Sequence, residues 1–396
     1  MKSKEIKVSL VLLEILIMLV YLNPVADFLP SSVQIIVFFA WLLSIVNQKR
    51  TLGEGFRLCI FSIIILLITF LRCVCANQLN MGYYSSLQVV IQRYQFVIYP
   101  ILFVYVSKLD FESKRKIFKW ALLCITGTVV VSLYYVLRVD PQAIRNTQGV
   151  SYFGVGDFQL MYAMAILFGP LFFVLLNKIK KKKKFMILAI ALSLMALCLL
   201  LCNLVTSVVL ALCSVFISYI LTRKNKPVYT LVGAFCILLV AFKSVIGQLL
   251  LKLASKQLFY WSTNNKIIAI ANVLLGDMTH IDTLSRRGML AGQSLKSFRE
   301  HPLLGINFKD HVSGKIGCHC QFADDLGRFG ILGNIFIWFN YYRIVKYTIQ
   351  YNKNIIVKNN MISAWICFFI LGFLNPCLSA TILMAILVVI PTFDAI

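Results

Sequence analysis

The residues best suited to chemistry are few, and most lie in one polar stretch. Arg286, Arg287, His301, His319, Asp324 and Asp325 all fall between Ser285 and Gly333. Two more arginines lie far from it: Arg93 in the apolar run VVIQRYQF, and Arg145 ahead of GVSYFGVGDF. Arginine stays charged and offers a planar fork that grips phosphate or carboxylate oxygens in pairs. Imidazole titrates near neutrality and can move a proton. A charge within an apolar span is costly and usually functional, although an internal ion pair or a displaced helix end also accounts for Arg93. Arg145 reads as an ordinary loop cation or as a weaker anion ligand.

Cys318-His319-Cys320, with His301 and His311 nearby, raises the question of zinc. Adjacent ligands on so short a run reach one ion poorly, and no C-x-x-C accompanies them, so no metal is expected. Most of the 12 cysteines sit in apolar runs, where they act as small hydrophobes. There is no Asp-x-Asp for a metal-bound nucleotide sugar and no phosphate loop of the P-loop type. That argues against nucleotide sugars and ATP.

These residues must be positioned by a membrane scaffold. Of 396 residues, 60% are hydrophobic and 14% charged, and mean hydropathy is +0.84. A soluble globule has about 45–50% apolar and about 25% charged residues, so a soluble enzyme, a disordered chain and a secreted disulfide scaffold are excluded. The net charge of +24 would suggest nucleic acid in a soluble chain. Here the cations lie between long apolar runs, as in a polytopic membrane protein.

Twelve runs are candidate spans: 8–22, 32–46, 57–71, 88–106, 118–137, 157–177, 185–202, 205–222, 228–246, 329–345, 360–374 and 377–392. The expected architecture is therefore an all-α bundle of about 12 helices. Residues 1–246 hold nine of them, 247–328 form a large extracytoplasmic loop, and 329–396 hold the last three. Twenty-four Lys and Arg fall on one set of alternating loops, against Arg72, Arg138 and Arg145 on the other. Cations stay in the cytoplasm, so both termini are expected inside. The run Lys178 to Lys184 reads as an anchor facing acidic headgroups.

Within the loop, Ser285 is a plausible N-cap, and Arg287, Ala291, Leu295 and Phe298 follow at helical spacing. The helix should stop near His301, because Pro302 disfavours helical geometry in the residue before it. Arg287 lies on or beside the apolar stripe, where it could meet an anion or snorkel to lipid phosphate. His301 suits a capping role. After His319, Phe322 and Leu326 recur helically, and Asp324 and Asp325 are acids suited to a helix N-terminal turn.

The segment SRRGMLAGQSLKSFREHPLLGINFKDHVSGKIGCHCQFADDLGRFGILG resembles the shared motif of the O-antigen polymerase and O-antigen ligase superfamily, the Wzy-type polymerases and related ligases. Its pieces are Arg287, then Phe298, His301, Pro302, Leu303, Leu304 and Gly305. After them comes His319, opening a segment that ends Gly330-Ile331-Leu332-Gly333. Where the family often has an arginine after Thr/Gly-Ser in a central helix, this chain has Val208 after Thr206-Ser207.

The resemblance implies glycosyl transfer on the outer face of a bacterial cytoplasmic membrane. The donor would be a glycan on a polyprenyl diphosphate, and the acceptor a sugar hydroxyl on another lipid-linked repeat unit. Arg287 would meet charge developing on the leaving diphosphate, with Arg286, Arg93 and Arg145 as further ligands. His319 would act on the acceptor hydroxyl, with Asp324 and Asp325 orienting it or acting themselves, and His301 beside the substrate. No cofactor, metal or nucleic acid is expected, and a flippase and a chain-length regulator would be partners. A ligase using another acceptor, or a lipid-linked oligosaccharide flippase, are the alternatives.

Overall fold

The computed structural model describes residues 3–75, 99–141, 158–178, 184–202, 204–222, 241–257, 260–276, 282–307 and 314–396. Among these the chain is helical, without a strand. The first helices are α1 (Ser3–Tyr21), α2 (Asn23–Ala26), α3 (Ser31–Ser44), α4 (Lys49–Cys75), α5 (Pro100–Ser107) and α6 (Phe111–Val136). Then come α7 (Phe158–Lys178), α8 (Lys184–Leu201) and α9 (Val205–Thr222). The later ones are α10 (Lys243–Ser255), α11 (Trp261–Leu275), α12 (Asp282–Glu300), α13 (Gln321–Tyr351), α14 (Ile355–Leu374) and α15 (Ala380–Met384).

Among the described residues, five helices are long and apolar enough to cross a bilayer: Lys49–Cys75, Phe111–Val136, Phe158–Leu176, Val205–Thr222 and Ile355–Leu374. Three shorter apolar helices accompany them, Ser32–Ser44, Met186–Leu201 and Ala380–Ala395. The expected spans at 88–106 and 228–246 fall largely outside the described residues. The total of twelve thus stays an expectation, while the described residues form an all-helical bundle that includes helices apolar enough to span a bilayer. The expected loop at 247–328 is helical over much of its length, with α10 packed on α11 and α12 packed on α13.

The last apolar run departs from a plain α-helix. After α15 the chain passes through a π turn at Ala385–Val389 and a 3-10 segment at Ile390–Ala395. Every residue from Thr381 to Phe393 is buried. A segment apolar on all sides belongs at the centre of a bundle, and here it packs on α1, α5, α6, α7 and α14.

Polar contacts inside the bundle follow from a need to satisfy every backbone group away from water. Pro170 in α7 has no N–H to give to the Ile166 carbonyl. The Ser214 hydroxyl of α9 donates to that carbonyl instead (2.9 Å) and accepts from the Gly169 amide (3.2 Å). The same helix then reaches α14 through Ser218, which donates to Ser363 (2.8 Å).

α4 ties the two ends of the molecule together. It is 27 residues long, about 40 Å at 1.5 Å per residue. At one end Glu54 accepts from Lys108 (2.8 Å), Arg50 (3.3 Å) and Tyr347 (3.3 Å). Lys114 pairs with Asp394 (2.8 Å) and Lys116 with Glu14 (2.8 Å) along the start of α6. At the other end stand Arg72 and Cys73, in contact with the stretch that carries the motif. The cations Arg50 and Lys108 and the motif therefore occupy opposite ends of α4.

Candidate active site

The site is built from α12, the turn His301–Asn307, the segment Gly314–Cys320 and the first turns of α13. α12 stops at Glu300, as Pro302 requires, but it begins at Asp282, so Ser285 lies in its first turn and is not the N-cap. The face it buries keeps Ala291 and Phe298 of the expected apolar stripe, both half-buried, but leaves Leu295 out. Leu295 is 40% exposed, whereas Ser294 and Ser297 are buried. Ser294 donates to Asp324 Oδ1 (2.6 Å) and accepts from the Gly317 amide (2.9 Å). Ser297 donates to the Lys315 carbonyl (2.7 Å). A buried carboxylate demands donors, and Asp324 on α13 turns the serine face of α12 inward.

α13 is broken at Gly330, whose φ of 61° and ψ of −168° lie outside helical space. A break leaves backbone groups without intrahelical partners, and the turn after α12 satisfies them. The amides of Ile306 and Asn307 donate to the carbonyls of Gly327 (3.0 Å) and Arg328 (2.8 Å). In the other direction, the amides of Ile331 and Leu332 donate to the carbonyls of Pro302 (2.8 Å) and Leu303 (3.2 Å). Asn334 closes the break from within, giving its amide nitrogen to the Asp325 (3.0 Å) and Gly330 (2.7 Å) carbonyls. The Pro302–Gly305 turn and the Gly327–Gly333 segment are thus two halves of one interlocked unit.

α4 holds this unit from the side. Arg72 donates from Nη2 to the Gly305 carbonyl (3.1 Å), and Asn307 donates to Cys73 Sγ (3.2 Å). Arg328 is buried and donates to Cys318 Sγ (3.4 Å). Guanidinium groups from α4 and α13 therefore flank the unit. The sequence puts Arg72 in an outer loop and gives Arg328, inside GRFG, no mark of its own. The packing of Arg72 against a residue 233 positions away has no local signal.

The expected site residues are distributed as follows. His301 and His319 are exposed, His301 at the end of α12 and His319 between Cys318 and the N-cap Cys320 of α13. Asp324 and Asp325 are each 1% exposed. Asp324 is held by Ser294 and by the Cys318 amide (3.2 Å), and Gln321 Nε2 donates to both carboxylate oxygens of Asp325 (2.9 Å each). Both carboxylates are thus occupied in holding the fold. Arg286 and Arg287 lie in the first turns of α12, but their side chains fall outside the described ones, and Arg93 and Arg145 lie outside the described residues altogether. The convergence of Arg287 with Arg93 is therefore still an expectation.

Cys318 and Cys320 point to different partners. The first accepts from Arg328, and the second donates to the Gly372 carbonyl of α14 (3.7 Å). Burial pushes the Cys320 thiol above its ordinary pKa, and the nearby acids Asp324 and Asp325 add to the shift. Among the described residues, no three His, Cys, Asp or Glu side chains converge as a metal site would need.

In chemical terms, the exposed imidazole of His319 stands beside a hydrogen-bonded polar unit at the end of α4 opposite Glu54 and its cations. Compared with family models, with curated proteins and with solved structures, the chain matches none.

Proposed function

We propose that this chain polymerises oligosaccharide repeat units carried on polyprenyl diphosphate, at the outer face of a bacterial cytoplasmic membrane. One observation carries the reading. The two halves of the motif that resembles the O-antigen polymerase and ligase superfamily, separated in sequence, interlock backbone to backbone beside the end of α4.

In this reading Arg287 of α12 meets the charge that develops on the diphosphate as the anomeric C–O bond breaks. His319 takes the proton of the attacking sugar hydroxyl. The new glycosidic bond forms as the diphosphate leaves with the bonding electron pair. Asp324 and Asp325 fix the frame that carries His319.

The test is elongation in liposomes that contain the purified protein and lipid-linked repeat units, with no energy source. Ladders of longer lipid-linked glycan are expected. Transfer of glycan only to a different acceptor would make it a ligase. Movement of substrate across the bilayer without elongation would make it a flippase.

A further inference from the structure

α1 and α6 leave a groove between them at the cationic end of the bundle. Its outer part encloses about 370 Å³ and is lined by Leu10, Glu112, Ser113, Arg115, Lys116 and Lys119. An adjoining part of about 170 Å³ shares Lys116 and Lys119 and adds Glu14, Trp120 and Leu123. Residues three and four apart share one helix face, so Glu112, Arg115, Lys116, Lys119 and Leu123 form a continuous stripe on α6. Leu10 and Glu14 face it from α1.

The stripe changes character along its length. It is charged as far as Lys119 and then becomes apolar, with the Trp120 ring and a Leu123 that is 61% exposed. The groove is held open by fixed contacts: Lys116 pairs with Glu14 (2.8 Å), and the Trp120 indole N–H donates to the Glu14 carbonyl (2.8 Å). The Glu14 carboxylate is therefore already paired with Lys116. Arg115 meets Glu112 only at 3.9 Å, and Lys119 has no ion-pair partner among the described residues. Exposed Lys7 lies one turn ahead of Leu10 on α1. The rim therefore carries surplus positive charge above an apolar wall.

We propose that this groove holds one anionic phospholipid. Its phosphate sits between Arg115 and Lys119, and an acyl chain lies along Trp120 and Leu123. A free phosphate would leave the apolar half empty, and α6 is one of the helices long and apolar enough to cross a bilayer. A zwitterionic lipid would bring its own cation against the rim. This inference does not depend on the polymerase reading.

The experiment uses the full-length protein in detergent, measured by native mass spectrometry and by thermal unfolding with added phosphatidylglycerol, phosphatidylcholine or glycerol 3-phosphate. Phosphatidylglycerol is expected to be retained in a one-to-one complex and to raise the unfolding midpoint, while the other two do neither. Lys119→Gln should weaken retention roughly five-fold, the effect of one surface cation near lipid, and Lys119→Arg should restore it. Equal retention of phosphatidylcholine, equal stabilisation by glycerol 3-phosphate, or unchanged retention in Lys119→Gln would each overturn the proposal. The comparison of the three ligands on the unmodified protein stands even if a variant fails to fold.

Discussion

A Cβ added to Gly305 would stand 2.6 Å from the Gly330 amide nitrogen, so these two residues meet backbone to backbone. Both also adopt positive φ, 65° and 61°. The turn after α12 and the break in α13 can interlock only because neither position carries a side chain.

Alanine at either position should therefore unlock the unit. Left-handed geometry alone costs a non-glycine residue about 1–2 kcal/mol, and the collision adds to that. Gly305→Ala and Gly330→Ala should lower the unfolding midpoint in detergent and reduce elongation. Gly292→Ala is the control, since a Cβ there meets nothing within 4 Å. It should stabilise α12 by about 0.5–1 kcal/mol. Equal behaviour of all three variants would contradict the interlock.

Ser294 should matter more than its size suggests. Its hydroxyl serves Asp324 and the Gly317 amide together, and an unsatisfied buried group costs about 1–3 kcal/mol. Ser294→Ala should destabilise by that order and loosen the segment leading to His319. Faster hydrogen exchange at residues 314–320 would report the loosening. Exposed Leu295→Ala should leave exchange there unchanged.

The cysteines report both environment and sidedness. Alkylation requires the thiolate, and burial raises the Cys320 pKa. Its modification in detergent should stay slow at pH 7 and quicken only as pH rises past the ordinary thiol value. Exposed Cys75, at the motif end of α4, should react with a membrane-impermeant maleimide added outside intact spheroplasts. Labelling of Cys75 only after permeabilisation would reverse the proposed orientation.

Local signals in the sequence give the helices well. The proline rule places the end of α12 at Glu300, and the Phe322 and Leu326 repeat places a helix after His319. Long-range demands are what a single sequence hides. Leu295 looks like a core residue until buried Asp324 is known to need the Ser294 hydroxyl. Asp324 and Asp325 look available for chemistry until their partners Ser294, Cys318 and Gln321 are placed. Arg72 meets Gly305 only through the packing of α4 on α13, which no periodicity encodes.

The most direct measurement is single-turnover elongation of a lipid-linked repeat unit by the reconstituted protein, comparing Arg287→Ala, Arg287→Lys and His319→Ala with the unaltered chain. Loss in both alanine variants, with Arg287→Lys also impaired because a point charge cannot replace a planar fork, is the expected result. Normal elongation by both Arg287→Ala and His319→Ala, at unchanged protein levels, would contradict the account.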